Sequence, residues 1–194
     1  MRRRCMRLPQ RTPIFIGCEG RSEMGYAGWL RNLVRDHNLP FHLELSDLGC
    51  GAGDPSKRID LAYARLTRLE RNREPFAARY LFLDTDQLAQ LGGQAEQARR
   101  QAECHKFKII WQVPTHEAFL LRHFQGCHTF HPPDKHTADQ ALRRQWPDYR
   151  KPATAEVIGQ RLGLESAYRV AARLPELADL LREIGLDRNM QSSS

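Results

Sequence analysis

Three carboxylates pose the chemical question: Glu19 in Cys18-Glu19-Gly20, and Asp84 and Asp86 in Asp84-Thr85-Asp86. Each follows an apolar run, residues 13–18 and 79–83, without the polar alternation of a half-exposed strand. Such runs are the pattern of strands covered on both faces in a parallel sheet. In an open parallel sheet, ligands sit beyond the carboxyl ends of the strands, where loops and helix starts converge. Acids gathered there repel one another and raise at least one pKa, whereas a hard divalent cation turns the repulsion into binding. The expectation is a Mg²⁺ site, with Mn²⁺ as a possible substitute, serving phosphoryl-transfer chemistry on a nucleic acid. Asp after a strand is also a common turn former or helix cap, so Asp-x-Asp alone is a weak signal. Its weight comes from the Glu-Gly at the matching end of another strand.

Other residues invite chemistry with less specificity. Residues 49–58, Gly-Cys-Gly-Ala-Gly-Asp-Pro-Ser-Lys-Arg, form a glycine-rich loop opening a helix, which can bring backbone N–H groups near phosphate. The loop lacks the Gly-Lys-Ser/Thr ending of a nucleotide P-loop, so it reads as a substrate-contacting loop, with Lys57 and Arg58 as phosphate contacts, or as a plain connector. His116, His123, His128, His131 and His136, with Cys127, form a His-rich stretch. It has no second paired half of a structural zinc site, and contact with phosphate or bases is at least as good an expectation.

The elements that must position the acids follow from periodicity. Ser22 reads as a helix N-cap, with Tyr26, Trp29, Leu30, Leu33 and Val34 at helical spacing up to residues 37–38. Phe41, Leu43 and Leu45 alternate as a strand, and Asp54-Pro55 caps a helix through Leu69. A strand over 79–83, a helix over 94–104, a strand over 107–112 and a helix over 116–124 complete the alternation. Strand and helix in turn imply right-handed crossovers and a parallel sheet, a Rossmann-like α/β fold with four mainly parallel strands. Beyond it, residues 137–186 read as helices punctuated by Pro147, Pro152, Gly163 and Pro175. The expected organisation is a basic flexible arm at 1–12, the α/β domain at 13–125, a His/Pro-rich loop and helical extension at 126–188, and a disordered tail at 189–194.

Composition narrows the partners. The 194 residues carry a formal charge of +7, the excess residing mostly in arginine, which favours planar, bidentate contact with phosphate. Five scattered cysteines with no Cys-x-x-Cys pair fit a reducing, cytoplasmic setting. The longest apolar runs fall far short of the roughly 20 residues of a membrane-spanning helix. The basic opening is not followed by the apolar core of a signal peptide.

The order strand-Glu-Gly, then strand-Asp-x-Asp, resembles the TOPRIM domain of topoisomerases, bacterial primases and OLD-family nucleases. Within that superfamily, Ile16-Gly17-Cys18-Glu19-Gly20-Arg21-Ser22-Glu23-Met24-Gly25-Tyr26 is similar to the opening of RloB-like proteins. Val113-Pro114-Thr115-His116-Glu117-Ala118-Phe119-Leu120-Leu121-Arg122-His123-Phe124 resembles a second motif of that family, and residues 146–151 a third, where the family often has Tyr followed by Lys. His116 stands where an aromatic residue is commoner, and Arg122 where an apolar residue is frequent.

The resemblance implies that Asp84 and Asp86 hold the ion, with Glu19 as a further ligand or as a base activating the attacking group. It places Glu117, near a helix start at the carboxyl edge of the sheet, as a second-metal or water-orienting acid. Lys151 would neutralise charge developing on phosphate, or else is a surface lysine. Ser22, Glu23, His116 and His123 are candidates for support or substrate contact; Glu23 also suits the helix dipole, and His123 suits a packed, hydrogen-bonded position. The implied activity is a metal-dependent endonuclease acting on DNA or RNA, the effector of an anti-phage defence system beside an ABC or SMC-like ATPase. No Walker motif occurs in this chain. The alternatives are a non-catalytic module binding nucleic acid or the ATPase, and a phosphotransferase on a small nucleotide.

Overall fold

Four strands form one parallel sheet: β1 (Thr12–Cys18), β2 (Phe41–Asp47), β3 (Ala78–Asp84) and β4 (Lys108–Gln112), in the order β2-β1-β3-β4. Ile14 of β1 lies beside Leu43 and Ala78, Cys18 beside Asp47 and Phe82, and Asp84 beside Gln112. The strand order therefore reverses direction between β1 and β3, which puts the crevice of an open sheet at the carboxyl ends of these two strands. The computed structural model describes residues 10–49, 54–86 and 94–188. Residues 1–9 of the basic arm expected at 1–12, residues 50–53 of the glycine-rich loop and the tail expected at 189–194 lie outside the described residues, and Thr12 already belongs to β1.

The continuous apolar runs have the predicted cause. Ile14, Ile16 and Cys18 of β1 and Tyr80 and Phe82 of β3 point into one buried cluster, while Phe15, Leu81 and Leu83 point into another on the opposite face. Each fully buried Leu, Ile or Phe contributes about 1.5–3 kcal/mol, so two such strands anchor both layers. The smaller layer is closed by α2 (Pro55–Glu70) and α3 (Gln94–Cys104). The larger holds α1 (Arg21–Asp36) and α4 (His116–Leu121), together with α5 (Lys135–Gln145), α6 (Ala155–Arg161), α7 (Leu164–Ala171) and α8 (Pro175–Glu183). Leu142, Ile158, Ala167, Leu177 and Leu180 of the later helices share one core with Tyr26 and Phe82, so the C-terminal segment roofs the sheet.

Local signals explain most boundaries. The Asp54 side chain accepts from the Ser56 N–H at 2.9 Å, and Pro55 needs no donor at the first helical position. Ser22, expected as an N-cap, is instead buried within the first turn of α1. Gly20 is the capping residue, extended and without a side-chain bond, and the Met24 N–H reaches its carbonyl at 3.1 Å. The helix expected over 116–124 is regular only to Leu121, where tighter turns return His123 N–H to Leu120 and Phe124 N–H to Leu121. Gly25 has a positional reason: a Cβ there would overlap the carbonyl oxygen of Ala153. The chain following Lys151 thus lies directly on α1.

Among the described residues, no helix is long and apolar enough to cross a membrane.

Candidate active site

The Glu19 N–H donates to the Phe82 carbonyl at 3.2 Å, so the turn leaving β1 is laced to β3. The Glu19 carboxylate then accepts from the Asp84 N–H at 2.9 Å. Its other oxygen meets Arg58 Nη2 at 3.1 Å, while Nη1 of the same guanidinium donates to the carbonyls of Glu19 at 3.2 Å and Gly49 at 2.9 Å. Arg58 is buried, so this fork is a structural clamp on the β1 turn. Burial still pushes the Glu19 pKa up, outweighing the Asp84 amide and the Arg58 charge that pull it down.

Asp84 is in a different position. It ends β3 with Oδ1 shut from solvent and without a hydrogen-bond partner among the described residues. Burial first, then the charges of Glu23, Glu19, Glu117 and Asp86, raise its pKa to about 9. Glu23, buried in the first turn of α1, is raised chiefly by burial as well. Together with Gly20, Arg21, Ser22, Arg58, Asp86, Lys135, Lys151 and Pro152, these acids line a cleft of about 320 Å³.

Glu117 lies buried behind the cleft and is not part of its lining. Lys151 Nζ meets its Oε1 at 2.6 Å, and the Tyr149 hydroxyl donates to the same oxygen at 3.3 Å. Burial opposes both charges of the pair, yet their attraction prevails: Glu117 stands below the usual carboxylate range and Lys151 above the usual ammonium range. His116 is fully buried, with Nδ1 2.8 Å from Gln112 Nε2. Burial pushes its pKa down to about 4, so it is neutral at pH 7 and its 4.0 Å approach to Glu23 is not an ion pair.

Two candidates fall elsewhere. His123 is a core residue: Nδ1–H donates to the Phe119 carbonyl at 3.0 Å, which leaves Nε2 to accept from the Tyr26 hydroxyl at 3.0 Å. Burial drives its pKa down to about 3. Lys57 is exposed and does not line the cleft. Conversely, Arg21 and Lys135 line it without having been singled out in the sequence, and Tyr149 was visible only as part of the 146–151 motif. No spacing rule points to Lys135, because it opens a helix more than 40 residues beyond β3 in sequence.

Among the described residues, no group of three or more His, Cys, Asp and Glu side chains is arranged as a finished metal cage. The donor set nevertheless fits a hard cation. It consists of carboxylate oxygens, one of them without a partner, and Mg²⁺ needs only one or two such ligands because it keeps several waters.

Sheet and cleft define the class: a Rossmann-like α/β protein with an acidic cleft at the point where its strand order reverses. The model of the family described as RloB-like protein matches residues 14–183, and the chain belongs to that family. No curated protein and no solved structure matches it.

Proposed function

We propose that the protein is a Mg²⁺-dependent nuclease that cleaves phosphodiester bonds of DNA or RNA at the Asp84 cleft. The observation that carries this reading is Asp84 itself, a carboxylate that faces four other acids and, among the described residues, has no ion pair and holds an oxygen with no hydrogen-bond partner. A group whose charge is so disfavoured is unusual outside functional sites, and a divalent ion is the simplest counterpart. Asp84 and Asp86 would hold the ion, which supplies Lewis-acid polarisation of the phosphodiester. The resemblance of Glu19-Gly20 and Asp84-Thr85-Asp86 to TOPRIM acids supports the same assignment.

The chain's own residues have separable tasks in this reading. Arg58 and the Asp84 amide fix Glu19, which keeps lone pairs toward the cleft to orient or deprotonate an attacking water. Lys151 and Lys135 bring positive charge to the rim, where a phosphate must enter. Glu117, itself hydrogen-bonded by the Tyr149 hydroxyl, holds the Lys151 ammonium in place. A role as defence effector beside an ABC or SMC-like ATPase follows from the family resemblance.

Two observations favour a second reading, a non-catalytic module for nucleic acid or the ATPase: Glu19 is already paired, and no finished cage exists among the described residues. Purified protein incubated with labelled DNA and RNA, in Mg²⁺ or Mn²⁺ and then with EDTA, separates the two. The nuclease reading expects cleavage that EDTA stops and that Glu19→Gln with Asp84→Asn abolishes. Cleavage surviving both substitutions would place the chemistry elsewhere, and binding without cleavage in either metal would favour the module.

A further inference from the structure

A second concavity, of about 340 Å³, opens past the end of β4. Its walls are Trp111, Val113 and Val170, and its polar groups include Arg122, Arg173 and His128. None of the described residues lining it is acidic. Arg122 donates through Nη2 to the Val113 carbonyl and lies 3.5 Å from His131 Nδ1, yet its Nε is buried with no partner among the described residues. His128 Nδ1 is buried and unpartnered in the same sense. Burial pulls the Arg122 pKa down, although an arginine remains charged at neutral pH. A half-buried guanidinium without a carboxylate and a buried imidazole nitrogen without a partner leave an anion's place open.

The pocket is tied to the acidic cleft. Thr85, between Asp84 and Asp86, donates its N–H to the carbonyls of Gln112 at 3.1 Å and Pro114 at 3.0 Å. Val113, between those two acceptors, is 46% exposed and forms the pocket's lip. A strand crossing the carboxyl edge of the sheet from β3 to β4 would pass from one concavity to the other.

We propose that this pocket binds one phosphate of the nucleic-acid strand, flanking the scissile position, with Arg122 and Arg173 on the phosphate and Trp111 and Val113 against the attached nucleoside. The proposal rests on the nuclease reading and adds to it a substrate-positioning subsite. Phosphate contacts of this kind fix the register of a strand without reading its sequence, and apolar walls accept any base.

The test measures binding of short labelled single-stranded DNA and RNA in EDTA, so that the strand stays intact. It compares the wild type with R122Q/R173Q, with R173Q alone, and with R31Q/R68Q, which removes two exposed arginines elsewhere. The pocket variant is expected to lose about tenfold in affinity, with a salt slope shallower by about 0.7, while R31Q/R68Q changes little. R173Q alters an exposed side chain and is expected to show part of the loss with an unchanged melting temperature. Trp111 is the least buried of the three tryptophans, so bound strand should quench fluorescence in the wild type. Binding equal in R122Q/R173Q and R31Q/R68Q overturns the subsite and leaves the nuclease intact. Absence of any strand binding by the wild type in EDTA overturns the subsite, and the nuclease reading is then decided by cleavage in Mg²⁺. Quenching by a free mononucleotide but not by the strand would assign the pocket to a small ligand and overturn the proposal.

Discussion

Asp84 and Glu117 stand at the same end of the sheet, both shielded from solvent, and differ in what faces them. Glu117 has the Lys151 ammonium at 2.6 Å and a depressed pKa; Asp84 has no ion pair among the described residues, and burial with the surrounding acids raises its pKa to about 9. Glu19 resembles Glu117 in having a cation, Arg58, but that cation also braces two carbonyls of the surrounding loops. Two carboxylates thus have an ion pair from within the chain, and Asp84 has none among the described residues. A cleft whose acids served only to cap turns would show no such asymmetry. That asymmetry is what the proposed cation would relieve.

The sharpest attack on this contrast is to give Glu19 the condition of Asp84. Arg58→Met leaves the carboxylate without its guanidinium, and we expect a loss of about 3 kcal/mol in urea unfolding, the usual cost of stranding one partner of a buried pair. A loss below about 1 kcal/mol would mean that Glu19 needs no internal cation.

The reverse change gives Asp84 relief. Its folded pKa lies above the unfolded value, so its contribution to stability is full below about pH 4 and lost as pH rises toward 9. In EDTA at pH 8, Asp84→Asn should therefore be more stable than wild type by about 2 kcal/mol, a gap that closes toward pH 4. Added Mg²⁺ should narrow the same gap by stabilising only the wild type. Thermal melts across pH check both; a gap independent of pH would remove Asp84 as the strained group.

The smallest effect belongs to Lys151→Gln. Half of the Lys151 side chain is solvated, so the loss is discounted to about 1–2 kcal/mol. Glu117 is held below its unfolded pKa, so the pair's stabilisation is present above the usual carboxylate range and fades as pH falls through the folded value. The difference between variant and wild type should disappear in acid, and a difference that grows there would contradict the pairing.

Strands, their parallel arrangement and the places of Glu19 and Asp84 were legible because continuous apolar runs and Asp-Pro caps are local signals. The helix Gln94–Cys104 was readable to its boundaries, whereas α1 begins one residue before Ser22 because backbone geometry at Gly20 replaced a side-chain cap. The Arg58 clamp was not legible. It joins residues 39 apart, and in sequence Arg58 looks like any cation beside a glycine-rich loop. His123 carried a motif's signal but serves the core, since a helical face holding Phe119 and Leu120 turns it inward. The roof formed by the later helices was visible as helices but not as a roof, because packing partners are set by tertiary contacts and not by periodicity.

The way Ala153 lies on Gly25 has a consequence for the order in which the protein is made. A ribosome delivers α1, the acids of β1 and β3, and Glu117 well before it delivers Lys151 and the segment that rests on that glycine. Until then Glu117 has no cation and α1 no cover. The cleft is finished only when the last third of the chain has emerged, so a nascent or prematurely stopped chain carries the acids without the lysine that completes their surroundings.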